Sequence, residues 1–252
     1  MMTPQQQAAL KTIQQELFAL LQDAVRVLEE EHLPYSLICG TLLGAVRHGG
    51  FIPWDDDIDI VMPRESYERF AAVYPGRASV GFELDTTDTW VPRVRRIGGR
   101  KTAFLDLFVL DPLPAGKLAR KWKLFRLKTL QGMLKDHTDY RRFSLPKRLL
   151  LYVTDVLGKP FSKAAKLRAY DRVSREGDPG SAVWHMSNGA FKLLPMTLAI
   201  SGFLPENLTY LPFEGLNVRV PKDKEELLIL LFGPDYMTPP PEDQRMPLHL
   251  DL

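Results

Sequence analysis

The chain has a single cysteine, Cys39, among 252 residues, so no disulfide can close within it, and redox compartment is left open on that count. With no second cysteine, and with His32, His48, His137, His185 and His249 scattered along the chain, no zinc-ligand spacing is present. No uninterrupted apolar run approaches the ~18 residues of a membrane span. The opening stretch, MMTPQQQAALKTIQQELFALL, has Gln, Lys and Glu throughout and lacks the basic start and apolar core of a secretory signal, so a cytoplasmic location is the default expectation. The glycine turn Gly40-Thr41-Leu42-Leu43-Gly44 is neither a Walker A nor a dinucleotide fingerprint, and no nucleophile-elbow spacing occurs.

What is present is an ordinary globular composition, 45% apolar and 25% charged, enough for one large domain or one domain with a helical appendage. Net charge is nearly absent at +2, but unevenly so. Lys117–Arg168 holds 15 Lys/Arg against three Asp (Asp136, Asp139, Asp155), a surplus of +12 that leaves −10 elsewhere. An acidic region and a basic region have to be explained separately.

Thr3, Pro4 and Gln6 have capping-box spacing, and Leu10, Ile13, Leu17, Leu20, Leu21, Ala24 and Leu28 follow at helical intervals, which predicts a packing helix over residues 3–31. Tyr35–Cys39 reads as a strand, Thr41–Arg47 as a helix and Ile58–Met62 as a strand. Arg64–Tyr74 reads as a helix ended by Pro75-Gly76, with strands at Ser79–Leu84, Val91–Ile97 and Thr102–Leu110. Residues 116–176 read as mostly helical. Short strands are expected at Ala182–Met186 and, two or three of them, within Ile200–Val220, then a helix at Asp223–Leu231.

Between the glycine turn and the second strand stand four aspartates in five residues: Asp55, Asp56, Asp57 and Asp59. Adjacent carboxylates repel, and Asp is a poor strand former, so a cation is expected to neutralise them. If residues 57–60 are extended, Asp57 and Asp59 share a face while Ile58 and Ile60 point inward. Asp106, between Leu105 and Leu107 in a buried strand, is the natural third acid. Mg²⁺, with Mn²⁺ as the alternative, suits a few carboxylates completed by water and substrate phosphates. An EF-hand fails, because Ile60 stands where its glycine belongs and Ser66 where its bidentate Glu belongs. Gly40 and Thr41, at a strand-to-helix junction, are placed to hold a phosphate on free backbone N–H groups.

GTLLGAVRHGGFIPWDDDIDI closely resembles the signature of the LicD family, phosphotransferases of nucleotidyltransferase-like fold that include the phosphocholine transferases and fukutin-related proteins. The superfamily's helix-opening Gly-Gly/Ser corresponds to Gly40-Thr41, its Asp-apolar-Asp-apolar to Asp57-Ile58-Asp59-Ile60, and its later acid to Asp106. Pro212-Phe213-Glu214-Gly215, Val220-Pro221, Phe232–Met237, Pro239-Pro240 and Arg245 also look like the family. The resemblance implies an α/β (α+β) fold: a nucleotidyltransferase-like mixed sheet flanked by helices, with a basic helical insertion. It implies a core over 1–115, the insertion over 116–180 and a completing part over 181–252.

It further implies transfer of a phospho-alcohol group, such as phosphocholine from CDP-choline, to a sugar hydroxyl of a cell-surface glycan or its lipid-linked precursor. Asp57 and Asp59 would hold the metal, and Asp106 would be a third ligand or the base. Gly40, Thr41, Asp55, Asp56, Arg47 and Arg95 (or Arg96) would meet substrate, and Trp54 or Trp90 could stack a base or cage an ammonium group. The alternatives are a nucleotidyltransferase moving NMP onto a small molecule, and a non-catalytic membrane-associated scaffold. In Lys117–Lys135 the apolar Leu118, Trp122, Phe125, Leu127, Leu130 and Met133 alternate with Lys and Arg. Such a helix suits peripheral contact with the inner face of a membrane or simple packing; nucleic-acid binding is not expected.

Overall fold

In the computed structural model, residues 2–100, 102–135 and 145–247 are described. The histidines at 137 and 249 and the acids at 136 and 139 lie outside them. The described chain forms two compact units. One comprises residues 1–85, 93–108 and 200–252; the other comprises 86–92 and 109–199.

The first unit opens with α1, Pro4–Glu30, whose Thr3/Gln6 capping box forms as the spacing predicts. Its face from Leu10 to Leu28 is fully buried, and each such leucine contributes ~1.5–3 kcal/mol. The α/β expectation holds: the elements alternate as β1 (Ser36–Leu37), α2 (Cys39–His48), β2 (Ile58–Pro63), α3 (Arg64–Arg77), β3 (Phe82–Asp85), β4 (Arg93–Arg96) and β5 (Phe104–Pro112). The sheet order is β1-β2-β5-β4-β3. β1 is shorter than expected because Cys39, with φ of 52°, already turns the chain into α2. Pro75-Gly76 does not end α3. The proline lies in its last turns, where it removes one hydrogen bond, and the Ala78 N–H closes the end on the Tyr74 carbonyl at 2.7 Å.

The C-terminal part of this unit starts with a 3₁₀ turn at Ile200–Phe203 where a strand had been allowed. The hairpin β8 (Leu208–Phe213) and β9 (Leu216–Pro221) and the helix α7 (Lys224–Phe232) follow. Glu214 and Gly215, at φ of 50° and 82°, form the two-residue turn of that hairpin, a left-handed pair that a glycine eases.

The second unit contains helices α4 (Lys117–Leu134), α5 (Leu145–Gly158) and α6 (Lys163–Ser174), and strands β6 (Val183–Met186) and β7 (Leu198–Ala199). β6 pairs antiparallel with the 110–112 end of β5 and with β7. Leu127, Leu134, Tyr170, Val173 and Leu194 form its core, with Trp90 packed against them. The sequence had placed the apolar residues of α4 together; the helix divides them. Leu127 and Leu134 turn inward, whereas Leu118, Trp122 and Phe125 are exposed. Lys123 is buried, its ammonium donating to the carbonyls of Pro112 at 2.9 Å and Ser174 at 2.8 Å, and Arg126 pairs with Glu176. Two of the helix's cations are therefore structural.

Candidate active site

The site lies in the first unit, where β1, α2 and β2 follow one another. Leu37 pairs with Ile60 and Ser36 with Val61, which sets β2 beside the start of α2. The Thr41 hydroxyl accepts the Asp59 N–H at 2.8 Å, and the Asp59 carbonyl accepts the Ile38 N–H at 3.3 Å. Thr41 thus fixes the acid strand to the helix start. Gly40 has its own reason: a Cβ there would stand 2.8 Å from the Asp55 carboxylate. Asp55 therefore lies against the opening turn of α2, the anion position expected for a phosphate.

The other end of α2 is clamped. A Cβ on Gly44 would collide with the Gly50 carbonyl, and one on Gly50 with the Glu214 carboxylate. Glu214 accepts the Phe51 N–H at 3.1 Å and donates its own N–H to the Gly49 carbonyl at 2.9 Å. Phe51 and Phe213 meet edge to face at 5.0 Å. The glycines of the first motif and the Phe-Glu-Gly of the C-terminal motif are halves of one joint.

Asp56 and Asp59 are buried and Ile58 and Ile60 fully so; β2 begins at Ile58, one residue after Asp57. The acids perturb one another. Burial, then Asp57 by charge and hydrogen bond, then Asp56, push the Asp55 carboxyl up to about 8. Asp59 is pushed up strongly by burial, then by Asp57, Asp106 and Asp55, with Arg93 opposing. The Cys39 thiol is held protonated by burial and by Asp59, Asp57, Asp55 and Asp106. Asp106, on the strand next to β2, thus belongs electrostatically to the cluster.

The cation of the site is one that sequence reading passed over. Arg93 stands opposite Asp106 in the β4–β5 register, donates from Nε to its Oδ1 at 2.7 Å, and lies 3.7 Å over the Phe104 ring. Arg95 points its charge at Glu83 (2.9 Å) and Asp85 (3.2 Å), and Arg96 lies over Phe82. Only strand register tells these three arginines apart. Arg47 donates to the Tyr236 carbonyl at 3.0 Å, and both Arg47 and Arg245 approach the Trp54 ring. Trp90 packs near Tyr170 in the core of the second unit. The sequence marks Glu214 and Arg245 as family-like but assigns neither a role.

The chemistry of this donor set is hard oxygen throughout, which suits Mg²⁺ rather than a soft metal. Among the described residues no three His, Cys, Asp or Glu side chains form a ready-made ligand cage.

Asp57 just ahead of β2, Asp59 on it and Asp106 one strand away, all beside the glycine-containing start of α2, make a nucleotidyltransferase-like arrangement. In comparison with known proteins, residues 32–95 match the family model LicD/FKTN/FKRP, nucleotidyltransferase domain, so this segment is similar to the family that its motif resembles. The chain is 28% identical over 255 aligned residues to the lipopolysaccharide cholinephosphotransferase LicD of Haemophilus influenzae, covering 88% of this chain and 89% of that protein. It is also 36% identical over 93 residues to an uncharacterised protein of Rickettsia typhi, 28% of whose length is covered, and 38% identical over 68 residues to one of Rickettsia prowazekii, with 26% covered.

Proposed function

We propose that this protein is a divalent-cation-dependent phosphotransferase that moves a phospho-alcohol group, phosphocholine from CDP-choline being the model donor, onto a hydroxyl of a cell-surface glycan or its lipid-linked precursor. The observation that carries this reading is the set Asp55, Asp57, Asp59 and Asp106 gathered beside the α2 start, together with the match to the Haemophilus cholinephosphotransferase along most of both chains. Asp57 and Asp59 would hold Mg²⁺, or Mn²⁺ in its place. Bound there, the ion would supply charge neutralisation for the donor phosphate oxygens.

The chain's own groups do the rest. Thr41 holds Asp59 in register, and the opening N–H groups of α2 orient phosphate once Asp55 yields that position. Arg93 orients Asp106, which is either the third ligand or the acceptor of the proton lost by the sugar hydroxyl. As that hydroxyl oxygen bonds to phosphorus, the bond to the bridging oxygen of the donor breaks and CMP leaves. A nucleotidyltransferase moving NMP is the second reading, since the matched domain carries that name. Incubation with CDP-choline, CDP-ribitol and free NTPs plus Mg²⁺ separates them: CMP release is expected, and pyrophosphate release from an NTP without it would refute the first reading.

The acceptor reading extends to the second unit, where α4 exposes Leu118, Trp122 and Phe125, and α5 exposes Tyr152, Val153, Val156 and Leu157. Lys117 and Lys121 are exposed on α4, and Lys159 is exposed just past the end of α5. Apolar side chains interspersed with lysines suit an anionic bilayer surface, where a lipid-linked acceptor would be met. No helix among the described residues is long and apolar enough to cross a membrane. Sedimentation with anionic vesicles at low salt is expected to carry the protein down, and a protein that stays in the supernatant would refute peripheral binding.

A further inference from the structure

Trp54 has two guanidinium groups drawn to its ring, Arg47 at 6.0 Å and Arg245 at 5.2 Å from the centroid. Arg47 donates to the Tyr236 carbonyl, and Arg245 donates from Nε to the Pro240 carbonyl at 2.8 Å. Carbonyls orient these cations without neutralising them, and the ring's negative face compensates only in part. Burial, then Arg245, push the Arg47 pKa down, with Asp55 opposing.

The ring also lines a cleft of about 710 Å³, within the range of small-molecule sites and far larger than a lone phosphate. α1 contributes Gln7, Lys11 and Gln14 to it, and the C-terminal segment contributes Glu242 beside Arg245. Lys11 and Arg245 are its two lining cations, and Glu214 lines it as well as Glu242. The carboxamides and Glu242 are groups that pair with sugar hydroxyls. The cleft wall and the acid cluster share one loop: Gln14 donates from Nε2 to the Asp55 carbonyl at 2.9 Å, and Asp55 follows Trp54 directly.

We infer that this cleft binds an anionic saccharide, a sugar carrying a phosphate or a carboxylate, and that it is the acceptor side of the site; the second half of this inference rests on the phosphotransferase reading above. Trp54 does not cage a choline group, because a quaternary ammonium would meet two guanidinium groups. It is not a stacking platform for the donor base, because those groups already approach the ring. Arg245 takes the acceptor's charge, Lys11 adds to the attraction from the rim and Arg47 from beside the Trp54 ring, and the glutamines hold its hydroxyls.

Calorimetric titration of the full chain with glucose 6-phosphate, glucuronate, glucose, inorganic phosphate and CMP tests this. At least one charged sugar is expected to bind about tenfold or more tightly than glucose, the worth of one charge-assisted hydrogen bond. Inorganic phosphate should bind more weakly than the preferred charged sugar, and comparing the two sugars tells which anion is read. Arg245→Ala and Lys11→Glu should each weaken charged-sugar binding while CMP binding is kept; Lys11 is exposed, so its variant does not depend on refolding the cleft. Equal affinity for charged and neutral sugars, equal affinity for inorganic phosphate and the preferred sugar, or unchanged affinity in both variants would overturn the inference. Loss of CMP binding instead would make the cleft a nucleotide site and overturn the acceptor assignment. Binding is read without turnover. A failure to release CMP from CDP-alcohols, with charged-sugar selectivity intact, would therefore strike the phosphotransferase reading and leave the anionic-saccharide site standing.

Discussion

Asp23 and the acids at Asp55–Asp59 are carboxylates withdrawn from water in the same unit, in opposite surroundings. Asp23, on α1, accepts hydrogen bonds from the Tyr74 hydroxyl at 2.8 Å, the Ser79 N–H at 3.1 Å and Arg26 Nη2 at 2.9 Å. Burial alone would raise its pKa; the bonds from Ser79, Arg26 and Tyr74 outweigh that and hold it below the ordinary value. Asp55 and Asp59 have each other and their acidic neighbours, and are pushed up. One carboxylate is fully provided for by the fold, so its role ends with stability. The others are tolerated by the fold at a cost, which points to a cation or substrate supplied from outside.

The comparison can be broken by substitution. The largest effect expected is that of Asp57→Asn on turnover: a loss on the order of 10³-fold or more in CMP release from the donor, with Tm unchanged or raised because repulsion is relieved. Normal turnover would remove Asp57 from the metal assignment. Asp106→Asn should cost turnover as well, and its effect on the Mg²⁺-dependent rise in Tm tells its role. A rise kept as in wild type makes Asp106 the base; a rise lost makes it a ligand.

Asp23→Ala should do the reverse of Asp57→Asn. Leaving the Tyr74, Ser79 and Arg26 donors without their buried acceptor should cost about 2–4 kcal/mol, read as a fall in Tm of roughly 5–15 °C, with turnover of the folded protein retained. Glu214→Gln, which weakens the clamp on Phe51 and Gly50, should cost about 1 kcal/mol in denaturant unfolding. The smallest effect concerns pH. The Asp23 pKa is lower folded than unfolded, so its contribution is present above the unfolded value and is lost as pH falls through the folded one. The Tm gap between wild type and Asp23→Asn should therefore narrow as pH drops below the ordinary Asp value; a gap that widened would contradict the pairing seen here.

Much of this contrast was legible in the sequence on one side only. The acid cluster announces itself because four aspartates before an apolar strand violate local preference, and the glycine turn beside it has few physical uses. α1 was legible through its period and its capping box. Asp23 was invisible, since one acid on a helix says nothing of a hydroxyl 51 residues away. Arg93 was hidden for a related reason: Arg93, Arg95 and Arg96 share one composition, and only the pairing of β4 with β5 sets the first against Asp106. The role of Glu214 needed the hairpin turn brought to Gly50, and the division of α4 needed Lys123 seen at the carbonyls of Pro112 and Ser174, where a charge pattern suggests a solvated face.

The central proposal is that the mutual repulsion of the clustered acids around Asp55 and Asp59 is offset by a divalent cation. Thermal unfolding measured against Mg²⁺ concentration in the presence of saturating CMP tests it most directly, because a ligand that binds only the folded state raises Tm by mass action. Wild type is expected to gain several degrees as Mg²⁺ increases, Asp23→Asn to gain as much from its lower start, and Asp57→Asn to gain little. An Asp57→Asn curve that rises in parallel with wild type would contradict the account.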